Sequence, residues 1–162
     1  MSAGGPPAWH VGDWGLLGWA ETALKSAGIL VGIGALLAAL GGDPDGASGA
    51  RLAAVVILGV MSLGLVAGIA DRVAGREVVG LVFILGMVAG HVAMTVALAR
   101  DGGLEGALAA FAALMLAGDL VKLVFLRTTG FRVRDLPPVV VFGLTTAYAV
   151  GYVALLLIAP AA

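Results

Sequence analysis

Five long apolar runs, separated by short polar breaks, account for most of the chain. A helix that crosses about 30 Å of hydrocarbon needs about 20 consecutive, mostly apolar residues, and each run has roughly that length. The pattern therefore predicts five transmembrane helices in an all-α, polytopic bundle that forms a single domain over residues 1–162. The expected spans are residues 22–40, 52–70, 78–99, 104–126 and 139–159.

The polar breaks between the runs are rich in glycine, proline and aspartate, which suit turns at the membrane surface. They cover residues 41–46, 71–77, 100–103 and 127–138. Because the connections are this short, we expect helices that follow one another in the sequence to pack side by side and antiparallel.

The segment before the first run is more polar and allows two interpretations. Asp13 is a suitable helix cap, Trp19 suits the headgroup level, and Glu21 and Lys25 have the favourable i, i+4 spacing for an ion pair on a helix. Residues 12–25 are therefore either an N-terminal interfacial helix or the first turns of the first span. Since this span is the weakest of the five, four spans is the alternative.

Composition agrees with a membrane location. Hydrophobic residues make up 61% of the chain and charged residues 12%, whereas soluble domains are about a quarter charged. The nine basic and ten acidic residues are too few and too scattered for a nucleic-acid surface, so the expected surroundings are the lipid bilayer. The absence of cysteine excludes disulfides and thiolate metal sites. The first ten residues lack a basic region, so we expect no cleavable signal peptide.

Loop charge predicts the orientation. In a five-span arrangement two arginine-rich loops lie on one side, and by the positive-inside rule that side is cytoplasmic. The N-terminus is then expected in the cytoplasm and the C-terminus outside the cell membrane. The arginines of these two loops are Arg72, Arg76, Arg127, Arg132 and Arg134. The opposite side has Arg51 and Arg100 beside several acidic residues.

Small residues recur at four-residue spacing, a pattern that lets membrane helices approach closely. Two interpretations remain open: a tightly packed bundle within one chain, or a smooth face that binds another membrane subunit or a second copy. The spaced residues are Gly28/Gly32, Gly64/Gly68, Gly86/Gly90, Ala109/Ala113/Ala117 and Gly143/Ala147/Gly151.

Ionisable residues inside a span are costly and therefore informative. Asp119 lies eight residues before Arg127, about 12 Å below the interface, and Lys122 follows on the same face. The two either pair with each other, with Lys122 reaching up to the headgroups, or line a polar ligand-binding cavity. Tyr148 and Tyr152 share a face of the fifth span and either join helices by hydrogen bonds or form a polar wall of the same ligand site.

His91 lies about 13 Å from the opposite surface. It is either a neutral histidine that joins helices, a proton acceptor, or an axial ligand of a bound cofactor, haem or a chlorophyll-type pigment. Its axial offset from Asp119 is about 10 Å, so we expect the two in different layers and propose no catalytic dyad. HExxH, P-loop and GxSxG motifs are absent, and no catalytic or metal-binding residue is assigned.

Residues 76–80 (Arg-Glu-Val-Val-Gly) open a predicted span, and residues 117–119 (Ala-Gly-Asp) lie late in the next one. This pattern is similar to that of small four-helix membrane proteins of the DoxX-like and related uncharacterised bacterial families. The resemblance covers residues 71–130 and implies a helical membrane fold more than a reaction. Unlike those families, this chain has a fifth predicted span, and its last span lacks histidine. The polar positions implied as shared are Arg76, Glu77 and Asp119.

Two functional hypotheses follow from the sequence. The first is a non-catalytic accessory or scaffolding subunit of a larger membrane complex. The second is a protein that binds or transports a small apolar molecule or lipid through a polar pocket around Asp119.

Overall fold

A computed structural model describes residues 15–42, 48–75, 78–129 and 137–162, with backbone alone for 71–75 and 129. These residues form five α-helices, each long and apolar enough to cross a membrane, and a final 3-10 turn at Ala159–Ala161. The predicted all-α bundle with five spans is confirmed, and the four-span alternative is wrong. The helices are α1 (Gly15–Gly41), α2 (Gly49–Gly75), α3 (Val78–Arg100), α4 (Glu105–Thr129) and α5 (Pro138–Ile158).

The N-terminal segment belongs to the first span. Residues 15–25 are the opening turns of the continuous helix α1 and do not form a separate helix. The predicted cap, Asp13, lies outside the described residues.

Local chemistry explains several helix ends. The Ser48 hydroxyl accepts a hydrogen bond from the backbone N–H of Arg51 at 3.0 Å, as an N-cap does at the start of α2. After α3, the Asp101 carboxylate accepts from the N–H of Gly103 at 2.9 Å and closes the turn into α4. Helix α5 begins at Pro138, where a missing N–H costs nothing.

The helices pack in the cyclic order α1, α3, α2, α5, α4. Helix α1 packs against α3 and α4, α2 packs against α3 and α5, and α4 packs against α5. Sequence neighbours α2/α3 and α4/α5 are therefore side by side as expected. The expectation that α1 packs beside α2, and α3 beside α4, was wrong. Within the described residues the two main neighbours of α1 are α3 and α4, so α3 separates α1 from α2 and α1 separates α3 from α4.

The outside of the bundle is apolar. Long aliphatic side chains such as Leu63 and Leu144 point outward, and the core contains Leu58, Met94 and Phe111. Such a surface is unfavourable in water but suits contact with lipid tails.

Glycines permit the closest approach of α1 and α3. A side chain on Gly32 would meet the carbonyl oxygen of Gly90, and a side chain on Gly90 would lie 2.9 Å from the Cα of Ile29. On the adjoining side of α1, Gly28 faces Met115 of α4. These contacts hold α1 against both neighbours and so position its polar residues.

Candidate functional site

A buried ion pair joins the first and fourth helices. The Lys25 ammonium lies 2.7 Å from Oδ1 of Asp119 and 2.8 Å from Oε1 of Glu21. Lys25 is 4% exposed and Asp119 3% exposed. The two carboxylates thus share one ammonium, and of the three groups only Glu21 is partly exposed.

A glycine makes this pairing possible. A Cβ on Gly118 would lie 2.7 Å from Cγ and 3.1 Å from Cε of Lys25, so the aliphatic part of the lysine crosses α4 over this glycine. The terminal ammonium then reaches the next residue, Asp119. Gly118 therefore leaves space for the lysine side chain, and Asp119 provides the carboxylate that pairs with its ammonium.

The cluster extends to the edge of the bundle. The Lys122 ammonium lies 3.7 Å from Glu21 Oε1. Side-chain exposure falls from 29% at Lys122 to 14% at Glu21 and 5% at both Lys25 and Asp119. The four residues, here called the charge cluster, form a graded polar path from the surface inward.

One oxygen of the charge cluster is unsatisfied. Oδ2 of Asp119 is buried and accepts no hydrogen bond from the residues that the structure describes. Leaving a buried acceptor unpaired costs about 1–3 kcal/mol, more for a charged group. Asp119 therefore has unused hydrogen-bonding capacity at Oδ2.

His91 lies in the interior and uses both ring nitrogens. Nδ1 is 2.7 Å from the carbonyl of Met87, which can only accept, so Nδ1 carries the proton. Nε2 is then the acceptor of the Tyr152 hydroxyl at 2.7 Å. The ring also packs edge-on against Phe111, with centroids 5.1 Å apart. A haem or pigment iron or magnesium would have to displace Tyr152 to reach Nε2.

The two tyrosines of α5 contact the histidine of α3 and the backbone of α2. Tyr148 donates to the carbonyl of Met61 in α2 at 2.7 Å, and its ring centroid is 6.4 Å from that of Tyr152. Tyr152 donates to Nε2 of His91 in α3, so both tyrosines join helices.

The predicted site residues are only partly brought together. Asp119 and Lys122 both belong to the charge cluster, whereas His91 is bonded to Tyr152 and makes no ion pair or hydrogen bond with the cluster among the described residues. The sequence does not identify Lys25 as a member, because residues 12–25 are interpreted there as either an interfacial helix or the first turns of the first span. Its i, i+4 relation to Glu21 was the available signal.

Other predicted features stay untested. Arg132 and Arg134 lie outside the described residues, as do Arg76 and Glu77 of the family-like motif, and the side chain of Arg72 is likewise not described. Within residues 15–42, 48–75, 78–129 and 137–162, no group of three or more His, Asp or Glu side chains is placed so that it could hold a metal ion.

Comparison of the chain with protein-family models, curated proteins and solved structures gave no match.

Proposed function

We propose that this chain is a non-enzymatic membrane protein that binds or moves a small, mostly apolar molecule or lipid through a polar site at Asp119. The observation that carries the proposal is the buried Oδ2 atom, which has no hydrogen-bond partner among the described residues. Charged residues inside membrane spans commonly mark ligand or ion pathways. A molecule that donates a hydrogen bond here would remove the cost of the unpaired oxygen.

The graded exposure of the charge cluster supports an entry route. Lys122 and Glu21 are partly exposed, whereas Lys25 and Asp119 are not. A ligand that arrives at the edge of α1 and α4 would meet charges first and the unpaired oxygen last. The surrounding surface is apolar, so the remainder of the ligand would contact hydrocarbon side chains and lipid.

Native mass spectrometry of the protein, purified gently from its membrane, tests this function. We expect a small-molecule adduct on the wild type that Asp119→Asn removes while the far-ultraviolet circular dichroism spectrum stays helical. Glu105→Gln is the matched control, since it neutralises an exposed carboxylate at the other end of α4. Adducts that are equal in all three proteins would contradict the proposal.

The second candidate is an accessory subunit of a larger membrane complex. It is favoured by α5, where Gly143 and Ala147 are exposed and a side chain on Gly143 would meet nothing within 4 Å. Small residues at this spacing allow another helix to approach closely. If this face binds a partner or a second copy, Gly143→Leu should release it during gentle purification. A wild-type protein that runs alone and keeps its stability would rule out this role.

The orientation in the membrane and the family resemblance are proposed from the sequence. The N-terminus is cytoplasmic and the C-terminus is outside the cell membrane, by the arginine distribution. The resemblance to DoxX-like proteins rests on the sequence motif, whose Gly118 and Asp119 lie near the middle of α4. The resemblance implies a helical membrane fold and does not imply a reaction.

A further inference from the structure

We propose that the molecule bound at Asp119 is a neutral amphiphile, an apolar body with one hydroxyl or amide N–H, and that it is neither cationic nor anionic. This inference rests on the proposed function and specifies its ligand class. It is based on three features of the charge cluster: its charge balance, the unpaired acceptor oxygen of Asp119 and its depth.

The charge cluster is already balanced. It contains two carboxylates, Glu21 and Asp119, and two ammonium groups, Lys25 and Lys122, linked by contacts of 2.7, 2.8 and 3.7 Å. A charged ligand would leave a net charge in surroundings of low dielectric constant, where an uncompensated charge is costly. A neutral ligand leaves the balance intact.

The unpaired Oδ2 atom of Asp119 requires a hydrogen-bond donor. Asp119 uses Oδ1 for Lys25, and an ionised carboxylate can only accept through Oδ2. The neighbouring tyrosines do not supply the proton, since Tyr152 donates to His91 and Tyr148 donates to the Met61 carbonyl. A hydroxyl or an amide N–H on the ligand would complete the coordination, whereas an ester or a ketone would not.

Depth limits the size of the polar group. Lys25 lies ten residues after the start of α1 and Asp119 ten residues before the end of α4, so the pair is about 15 Å from these helix ends. A phosphate headgroup is held at the membrane surface and would not reach this level. A single hydroxyl or amide group on an alkyl or ring body would.

Photolabelling in phosphatidylcholine vesicles tests the inference. The probes are three alkyl diazirines of one chain length that end in an alcohol, a primary amine or a carboxylic acid, and intact mass measures the label. We expect the alcohol to label the wild type and Glu105→Gln equally. Asp119→Asn should reduce this labelling about tenfold, because Lys25 would hold the remaining oxygen and the amide nitrogen in the place of Oδ2 cannot accept a hydrogen bond. The amine and the acid should label all three proteins weakly and equally.

The outcomes separate the two proposals. Labelling by the amine or the acid that depends on Asp119, with no such dependence for the alcohol, overturns the neutral ligand but leaves the binding function standing. Labelling that never depends on Asp119 overturns both. If Asp119→Asn does not fold, competition on the wild type decides, because unlabelled alcohol must then displace the alcohol probe better than the unlabelled amine or acid does.

Discussion

The ammonium group of Lys25 lies 2.7 Å from a carboxylate oxygen of Asp119, and this contact connects helices α1 and α4 in the interior of the bundle. Neither residue has a low-cost alternative. An unpaired lysine would have to extend to the membrane surface, and an unpaired aspartate would remain in hydrocarbon. The pair therefore ties α1 to the rest of the chain at a defined height.

Replacement of Lys25 by methionine should destabilise the bundle strongly. The substitution keeps an unbranched apolar side chain but leaves Asp119 buried without its ammonium, which typically costs about 3–5 kcal/mol. Unfolding of the purified protein by SDS in mixed micelles, followed by circular dichroism, measures the loss.

The double variant Lys25→Met, Asp119→Leu is the control for this prediction. Since it removes both charges of the contact, we expect it to recover most of the stability lost by Lys25→Met. A single variant as stable as the wild type would show that the pair does not hold α1 in place.

The glycine contacts between α1 and α3 predict a difference between two alanine substitutions. Gly32→Ala would press a methyl group against the backbone carbonyl of Gly90, which cannot move aside, so we expect a loss of about 1–3 kcal/mol. Gly34→Ala, two residues on, would meet nothing within 4 Å and should be neutral or slightly stabilising. Equal effects in the same SDS unfolding assay would contradict the close approach of the two helices.

The helices were predictable from the sequence because each span repeats one physical requirement, about 20 apolar residues between polar breaks. The predicted limit at Val78 is the observed one, and Arg100 lies one residue past the predicted end. The order of packing was not predictable in this way. That α1 lies between α3 and α4 depends on small residues such as Gly32 and Gly90 meeting across helices, and a sequence contains many such pairs.

The site was only partly predictable for a related reason. Asp119 stands out since a carboxylate inside a span is expensive wherever it points. Its partner could not be identified, because Lys25 lies near the start of α1 and looked accessible to headgroups. Its burial depends on the contact of α1 with α4, where Gly118 makes room for the lysine. Local spacing favoured Lys122 as the partner, and only the tertiary arrangement shows Lys25 against Asp119.

The hydrogen bond between Tyr152 and His91 predicts unequal effects of removing two hydroxyls. Tyr152→Phe would leave Nε2 of a fully buried histidine unpaired, at a cost of about 1–3 kcal/mol. Tyr148→Phe removes a bond to the Met61 carbonyl, which lies within α2 and can keep its helical partner, so about 0.5–1.5 kcal/mol is expected. The SDS unfolding midpoints of the two variants give the comparison, and a larger loss for Tyr148→Phe would contradict it.

The engagement of both His91 nitrogens also predicts the absorbance of the purified protein. Because Tyr152 occupies Nε2 and Met87 occupies Nδ1, we expect the ultraviolet absorption of tryptophan and tyrosine and no visible band. A visible band that disappears in His91→Gln would show instead that the histidine exchanges Tyr152 for a haem or pigment. Tyr148→Phe, which leaves the ring contacts of His91 in place, is the control for general loss of a bound chromophore.

The predicted orientation can be measured directly, since the chain has no cysteine and any introduced thiol is unique. Gly103 is exposed in the turn before α4, on the side expected outside, and Thr128 is exposed at the other end of that helix. A membrane-impermeant maleimide on intact cells should label Gly103→Cys. Thr128→Cys should be labelled only after permeabilisation, because the arginine-rich side faces the cytoplasm. Leu63→Cys, which faces lipid in mid-span, should stay unlabelled in both conditions. The reverse pattern for the first two variants would place the N-terminus outside and overturn the orientation.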